Sequence, residues 1–220
     1  PLIVVNMSGS IMDFQWESKN ADAILQAWYG GQAAGDAIVD VLFGQYNPSG
    51  RMPLTTYMSD KDLPAFEDYS MENRTYRYFK GAVRYPFGYG LSYTNFSYNP
   101  LENDSVLQTG ANIQVSTIVK NIGNRAGDEV VQLYLAHPQD NNKRMPIHSL
   151  KGFKRIHLKK GESTKVSFTL TPEELALTDS DGNLTKNTKK IDIYIGGGQP
   201  NKSTGSFNSL TIQGEPYKVF

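Results

Sequence analysis

Four stretches in the second half of the chain alternate inward-facing and polar residues. The inward-facing members are Ile113, Val115, Thr117 and Val119; Val131, Leu133 and Leu135; Thr164, Val166, Phe168 and Leu170; and Ile191, Ile193 and Ile195. A period of two is typical of strands that bury one face. Turn signals at residues 121–124, 160–161 and 179–183 separate these runs. Together they predict an antiparallel β-sandwich of about 110 residues.

The start of the chain shows a different pattern. Residues 2–5, Leu-Ile-Val-Val, form a continuous apolar run, which is typical of a strand buried on both faces of a parallel sheet. Two helices are predicted next, each from an apolar stripe. The stripe residues are Ile24, Leu25 and Trp28 in the first helix, and Ala34, Ile38, Val41 and Leu42 in the second, which Gly44 caps. One strand and two helices resemble the end of a doubly wound sheet, whose other strands we expect upstream of residue 1.

Residues 45–100 carry little periodicity and many Gly and Pro residues. Seven of the 13 tyrosines fall between Tyr69 and Tyr98, which a disordered linker does not show. We therefore predict a long, ordered aromatic connector. The predicted division is an α/β part at 1–60, the connector at 61–102 and the β-sandwich at 103–220.

Composition excludes several classes of partner. The chain has 22 basic and 22 acidic residues, so no single-sign field attracts nucleic acid. No apolar run reaches the roughly 18 residues that span a bilayer, so we expect no membrane partner. The 220 residues include no cysteine, which excludes a thiolate metal site and a Cys nucleophile.

Three blocks of sequence carry a family resemblance. They are AILQAWYGGQAAGDAIVDVLFGQYNPSGRMPLTTY at 23–57, DLPAFEDYSMENRTYRYF at 62–79 and YPFGYGLSYTNFSY at 85–98. In this order they resemble the C-terminal region of glycoside hydrolase family 3, the β-glucosidases and β-xylosidases. VVQLYLAHP, LKGFKRIHLKKGES and IDIYIGGG are similar to the fibronectin III-like module that ends many of these enzymes.

The resemblance implies a retaining, exo-acting β-glycosidase that hydrolyses terminal β-linked sugars of an oligosaccharide or aryl β-glycoside. Family members usually begin with a (β/α)8 barrel that carries the nucleophilic Asp, and in many the acid/base Glu lies just ahead of the strand that resembles residues 1–7. Both catalytic carboxylates are therefore expected upstream, with no catalytic residue in this chain. The resemblance also implies a periplasmic or secreted bacterial protein, and no cofactor.

Glu67 and Asp68 are the candidate carboxylates of the connector. A retaining glycosidase needs two carboxyl groups about 5 Å apart. Adjacent residues of an extended segment point apart, so a catalytic pair is disfavoured, and a role in shaping the site from a neighbouring loop is the alternative. Arg74 could hold a sugar hydroxyl or a carboxylate. Its other interpretation is an internal Arg–Glu tie that fixes the connector.

Trp16 and Trp28 are candidate platforms for a sugar ring, since pyranose faces pack on indoles. Trp28 is predicted to be core. Trp16 follows the first strand, near the carboxyl end where open α/β sheets bind ligands. The predicted substrate-binding set is therefore Trp16, Glu67, Asp68 and Arg74. His137, His148 and His157 lack metal-ligand spacing, so no metal site is predicted.

A non-catalytic carbohydrate-binding or adhesion module is the alternative function. Such a module would begin near residue 103. It would have no reason to keep half of an α/β domain. The apolar strand at residues 1–7 therefore favours the glycosidase.

Overall fold

The computed structural model divides the chain into two compact units, Pro1–Tyr93 and Thr94–Phe220. It describes residues 1–102, 106–108, 110–137, 145–178, 182, 184–185, 190–200 and 205–213. The two units are built from different kinds of sheet.

The first unit contains short elements joined by long loops. They are β1 (Ile3–Asn6), α1 (Glu17–Asn20), β2 (Ala23–Gln26), α2 (Ala34–Leu42), β3 (Thr56–Tyr57), α3 (Thr75–Tyr78) and β4 (Val83–Tyr85), with a 3-10 turn at Asp60–Asp62. β1 and β2 pair in parallel, with Ile3 opposite Ala23 and Asn6 opposite Gln26. Parallel pairing across a helical connection is the local geometry of a doubly wound sheet.

The predicted first helix is wrong. Ala23–Gln26 is strand β2, which adds a second strand beside the apolar run at the start of the chain. The spacing of Ile24, Leu25 and Trp28 fits one helical face, but a four-residue apolar run fits a short buried strand equally well. Pairing with β1 decides between the two, and that partner lies 20 residues away in sequence.

The predicted second helix is confirmed as α2. Ala34, Ile38, Val41 and Leu42 are its half-buried residues, and Asp36 and Asp40 lie on the exposed face. Gly44 has a φ of 73°, the left-handed conformation that ends many helices and that glycine adopts without strain.

Aromatic rings pack around the ribbon that β3 and β4 form by antiparallel pairing. Tyr57 meets Phe79 edge-on with ring centroids 4.7 Å apart, and Tyr76 stacks on Phe87 at 4.3 Å. These contacts give residues 57–87 a fixed path with little regular secondary structure.

The second unit is almost entirely strand. Its elements are β5 (Phe96–Tyr98), β6 (Val106–Gln108), β7 (Ile113–Asn121), β8 (Gly127–Ala136), β9 (Ser149–Leu158), β10 (Ser163–Leu170), α4 (Pro172–Leu175), β11 (Leu177–Thr178), β12 (Leu184–Thr185), β13 (Lys190–Gly196) and β14 (Ser206–Gln213). A three-stranded sheet has the order β10-β7-β5, and a five-stranded sheet has the order β6-β14-β13-β8-β9. All pairings in the two sheets are antiparallel except β6 with β14.

The two sheets share one hydrophobic core, which confirms the predicted sandwich. Its buried residues come from both sheets: Ile113, Val115, Val119, Val166, Phe168 and Leu170 from one, and Val131, Leu133, Leu135, Leu158, Ile191, Ile193 and Ile195 from the other. These are the inward members of the four alternating runs, together with Leu158 of β9. The period-two pattern therefore identified the core face of β7, β8, β10 and β13.

Strand β8 departs from the expected half-buried pattern. Gln132 and Tyr134, predicted to face solvent, are as buried as Leu133 between them. The hydroxyl group of Tyr134 donates to Oε1 of Gln132 (2.6 Å), and Nε2 of Gln132 donates to the carbonyl oxygen of Gly197 (3.2 Å). β8 is thus buried on both faces, and its outward polar groups are paired with each other and with the chain after β13.

Two of the three predicted turns fall on described residues. Asn121 ends β7 and is fully buried, and Gly161 has a φ of 77° between β9 and β10. The predicted turn at 179–183 lies outside the described residues except for Gly182. Over the described parts of the chain, the helices are all too short to cross a membrane.

Candidate functional site

The carboxyl ends of β1 and β2 meet at one edge of the parallel sheet. Nδ2 of Asn6 donates to Oε1 of Gln26 (2.6 Å) and to the hydroxyl oxygen of Ser8 (2.7 Å). Open α/β sheets bind ligands at this edge. Neither amide was predicted as a site residue from the sequence. Each is the polar residue that ends an apolar strand, and this position is the signal that could have found them.

Trp16 lies in the segment that follows β1, at the start of α1, and 60% of it is exposed. Two residues earlier, Phe14 is buried and meets the ring of Tyr85 edge-on at 6.2 Å between centroids. Phe14 therefore anchors the segment, while the Trp16 ring stays open to solvent.

Arg84 of β4 fixes the same segment from the other side. Its Nη1 donates to the hydroxyl oxygen of Ser18 (2.7 Å), and its Nη2 donates to the carbonyl oxygen of Met58 (2.8 Å). Asp13 lies 3.7 Å from the buried guanidinium group. A buried guanidinium group needs such partners to offset its loss of water, so Arg84 acts as a tie between residues 13–18 and Met58, the residue after strand β3.

The prediction that Trp28 is a core residue of a helix is wrong. Trp28 lies two residues after β2, is half-buried and has a φ of 56°. A bulky residue rarely adopts this left-handed conformation. Its neighbour Tyr29 is exposed. Both tryptophans thus follow the carboxyl ends of the paired strands, which is where ligands of open sheets bind.

Arg74 organises the loop that contains the two candidate carboxylates. Its Nε donates to the carbonyl oxygen of Ser70 (3.1 Å), and its Nη2 donates to those of Ala65 (3.1 Å) and Asp68 (2.5 Å). The interpretation as an internal tie is right in kind but wrong in partner. Arg74 donates to main-chain carbonyl groups, and no Glu of the described residues is among its hydrogen-bond partners.

Asp68 is turned toward its own loop. Its Oδ1 accepts the main-chain N–H of Ser70 (2.8 Å). Hydrogen bonds from Ser70, helped by the charge of Arg74, hold the pKa of Asp68 below its usual value. Asp68 is therefore an ionised turn-forming residue. Glu67 beside it is exposed.

The two segments that carry Trp16 and Glu67 attach to neighbouring residues of the β3–β4 ribbon. The main-chain N–H of Thr75 donates to the hydroxyl oxygen of Tyr57 (2.8 Å). The next residue, Met58, accepts the hydrogen bond from Arg84 that fixes the Trp16 segment. The ribbon is thus a common support for both candidate segments.

No group of three or more His, Asp or Glu side chains comes together as a metal site among the residues that the structure describes. Asp36 and Asp40 share the exposed face of α2, as a solvated helix surface does.

Comparison with known proteins identifies both units. Residues 1–93 match the family model "Glycosyl hydrolase family 3 C-terminal domain", and residues 129–199 match "Fibronectin type III-like domain". The fold is therefore that of a glycoside hydrolase C-terminal region, an α/β part followed by a β-sandwich. This confirms the predicted fold class, the C-terminal remnant of a doubly wound α/β sandwich followed by a fibronectin III-like sandwich.

The names of the relatives that are similar in sequence give two activities, beta-xylosidase and beta-glucosidase. The chain is 45% identical over 197 residues to a xylan 1,4-beta-xylosidase of Xylanibacter ruminicola, covering 89% of this chain and 22% of that protein. It is 36% identical over 223 residues to a periplasmic beta-glucosidase of Salmonella typhimurium, covering 96% of this chain and 29% of that protein. The chain spans between a fifth and a third of the length of these relatives.

Solved structures agree. A β-glucosidase of Kluyveromyces marxianus in complex with glucose superposes with a TM-score of 0.86 at 30% identity, over 98% of this chain and 27% of that one. The chain is the C-terminal region of a glycoside hydrolase family 3 protein, consisting of part of the C-terminal α/β domain and the fibronectin III-like domain.

Proposed function

We propose that the chain is the C-terminal portion of a retaining, exo-acting β-glycosidase of the β-glucosidase or β-xylosidase type. The parent enzyme hydrolyses terminal β-linked sugars of oligosaccharides or aryl β-glycosides. An N-terminal barrel domain supplies both catalytic carboxylates. Residues 1–60 complete the α/β domain, residues 61–102 connect the two parts and end with strand β5 of the sandwich, and residues 103–220 form the rest of this stabilising sandwich.

The observation that carries this proposal is the uncovered surface of the first unit. β1 and β2 have only each other as partners within the described chain, and α2 has no fully buried residue. Phe14 is the one fully buried large apolar residue of this unit among those described. A half-domain of this kind needs further strands and helices against it, as relatives three to five times longer would provide.

In this proposal Trp16, Glu67, Asp68 and Arg74 belong to loops that form part of the active-site wall. Trp16 and Glu67 are exposed and available to a sugar. Asp68 and Arg74 are engaged within their own loop. Because a periplasmic relative is among the similar proteins, we also propose that the parent enzyme is periplasmic or secreted.

The test compares the 220-residue chain with the full parent enzyme on nitrophenyl β-glucoside and β-xyloside. The parent should turn over at least one substrate, and the first sugar released should keep its anomeric configuration in an NMR time course. The chain alone should be inactive. Turnover by the chain that is lost in Glu67→Gln or Asp68→Asn would contradict the proposal, as would inversion by the parent.

A further inference from the structure

Two aromatic rings project from the loop at residues 65–72 with almost no protein contact. Phe66 is 88% exposed and Tyr69 is 87% exposed. Aromatic side chains of this size are normally at least partly buried. Two such rings within four residues of one loop therefore indicate a surface that contacts something else.

The loop that carries them is held in one conformation. The guanidinium group of Arg74 donates to the carbonyl oxygens of Ala65, Asp68 and Ser70, so three main-chain groups of the loop are bound to one side chain. The carboxylate of Asp68 closes the turn on the N–H of Ser70. A loop fixed in this way loses little further entropy when a ligand binds.

Backbone strain at the end of the loop supports the same conclusion. Asn73 has a φ of 57° and Thr75 has a φ of 56°, on either side of Arg74. The left-handed conformation is unfavourable for a β-branched residue such as Thr75. Strain of this kind persists where surrounding contacts impose it, and here the bond from the Thr75 N–H to Tyr57 is one of them.

The geometry points to a saccharide-binding platform made of Phe66, Glu67 and Tyr69, held in place by Arg74. Resting on the proposed function, it takes the sugar units on the leaving-group side of the bond that is cleaved. The rings pack against pyranose faces, and the Glu67 carboxylate accepts hydrogen bonds from sugar hydroxyl groups.

Glu67 is the residue that favours a sugar over a protein partner. The centre of a protein interface is depleted of charged residues, because a carboxylate buried there needs a matched donor. In the sequence, Glu67 lies between Phe66 and Tyr69, the two residues with exposed rings. Aromatic rings that alternate with a hydrogen-bond acceptor suit a ligand with apolar faces and hydroxyl edges.

This assignment changes the expected role of two residues. Arg74 and Asp68 are assigned no sugar contact, since Nε and Nη2 of Arg74 and Oδ1 of Asp68 hold the loop itself together. They are positioning residues. Phe66 and Tyr69, which the sequence analysis did not select, take the contact role.

The experiment uses the intact parent enzyme with the double substitution Phe66→Ala and Tyr69→Ala. The substrates are a β-linked disaccharide, cellobiose or xylobiose, and the matching glycosyl fluoride, whose leaving group is too small to reach the platform. The KM for the disaccharide should rise about tenfold, the factor that corresponds to ~1.4 kcal/mol of lost binding. The kcat for the disaccharide should change less than about twofold, since loss of uniform binding affects KM alone. The kcat and the KM for the fluoride should also change less than about twofold, because its leaving group does not reach the platform.

Variants of Arg74 test the positioning role. Arg74→Ala should reproduce the selective rise in KM, and Arg74→Lys should restore part of the loss, because an ammonium group serves fewer carbonyl oxygens than the guanidinium fork. Phe153→Ala is the matched control, since Phe153 is an exposed ring on strand β9 of the sandwich. It should leave both substrates unchanged.

The outcomes separate the two proposals. An active parent whose double variant keeps its KM for the disaccharide overturns the platform and leaves the proposed function standing. Equal loss of kcat on both substrates, with poor assembly of the variant, shows that the rings pack against protein, and also overturns the platform. A wild-type parent that hydrolyses no β-glycoside overturns both.

Discussion

The two units of this chain differ in how completely they bury their apolar residues. In the second unit the sandwich core is closed, and the exposed large apolar residues among those described are four: Ile122, Ile147, Phe153 and Leu184. In the first unit Phe14 is the one large apolar residue that is fully buried, and exposed rings include Tyr29, Phe43 and Tyr46. The same chain therefore contains one complete domain and one open half-domain.

The difference shows that ordered elements are not enough to make a domain stable. β1, β2 and α2 have the right local sequence for their structures, but none of their apolar side chains is fully buried. Full burial of a large side chain contributes ~1.5–3 kcal/mol, and these partly exposed side chains gain only part of it.

The largest difference is expected for a leucine in each unit. Leu133→Ala removes a fully buried side chain from β8 and should lower the free energy of unfolding of the sandwich by ~2–5 kcal/mol. Leu25→Ala in half-buried β2 should cost less than ~1 kcal/mol in the 220-residue chain, because a partly exposed side chain leaves little cavity. Urea denaturation followed by tyrosine and tryptophan fluorescence measures both.

The parent enzyme provides the control for this pair. If further strands cover β2 there, Leu25→Ala should become as costly as Leu133→Ala. A large cost for Leu25→Ala in the 220-residue chain itself would show that the first unit already has a working core.

A buried asparagine gives the next largest effect. Asn121 is fully buried, and its Nδ2 donates to the carbonyl oxygens of Arg125 (2.9 Å) and Leu158 (3.0 Å). Its Oδ1 accepts from the hydroxyl group of Thr94 (2.7 Å) and from the N–H of Gly123 (3.1 Å). Asn121→Ala leaves several buried polar groups without partners and should cost ~2–4 kcal/mol, since each costs ~1–3 kcal/mol.

Asn6 is the counterpart of Asn121 in the first unit. It also bonds two side chains, Ser8 and Gln26, but water can reach the site. Asn6→Ala should therefore cost less than ~1 kcal/mol in the 220-residue chain. Thermal unfolding of both variants tests this, and equal costs would remove the distinction between the units.

The smallest effect concerns a surface ion pair of the sandwich. Oδ2 of Asp128 accepts from Nε of Arg155 (2.7 Å), and Oδ1 accepts from Nδ1 of His157 (2.6 Å). Partial burial opposes ionisation, but the hydrogen bonds from His157 and Arg155 outweigh it and lower the pKa of Asp128. Both partners are more than half exposed, so Asp128→Asn should cost only ~0.5–1 kcal/mol at pH 7.

The pH dependence of this cost has a defined sign. A carboxyl group with a lowered pKa in the folded state stabilises the fold above its unfolded pKa of about 3.9, and the stabilisation is lost as pH falls through the folded pKa. The difference in Tm between Asp128→Asn and wild type should therefore shrink toward zero in acid. Asp40→Asn, on the exposed face of α2, is the control and should leave Tm unchanged both at pH 7 and in acid. A cost that grows in acid would contradict the assigned pKa direction.

The sandwich was more predictable from sequence than the half-domain, for a physical reason. In runs such as Ile191, Ile193 and Ile195, every second residue is apolar and lies in the core, so the period of two is visible in the sequence. Strand β2 has four residues, too few to separate a period of two from a helical stripe. Its structure depends on pairing with β1, which no local pattern contains.

The candidate site was predictable in its location but not in the roles of its residues. The sequence selected Glu67, Asp68 and Arg74 as chemical groups, and the structure places all three in one loop. The sequence could not show that Arg74 binds main-chain carbonyl groups. Every residue has a main-chain carbonyl group, and no motif marks the ones that are bound. The exposure of Phe66 and Tyr69 likewise depends on what the fold leaves uncovered.

Native-state amide hydrogen exchange of the 220-residue chain tests the central claim, that one unit is a complete domain and the other an open half-domain. Amides of β7 and β8 should exchange only through global unfolding of the sandwich, whereas amides of β2 and α2 should exchange by local opening at a much lower free energy. In the parent enzyme the amides of β2 and α2 should become strongly protected. Equal protection of β2 and β8 in the 220-residue chain would contradict the account.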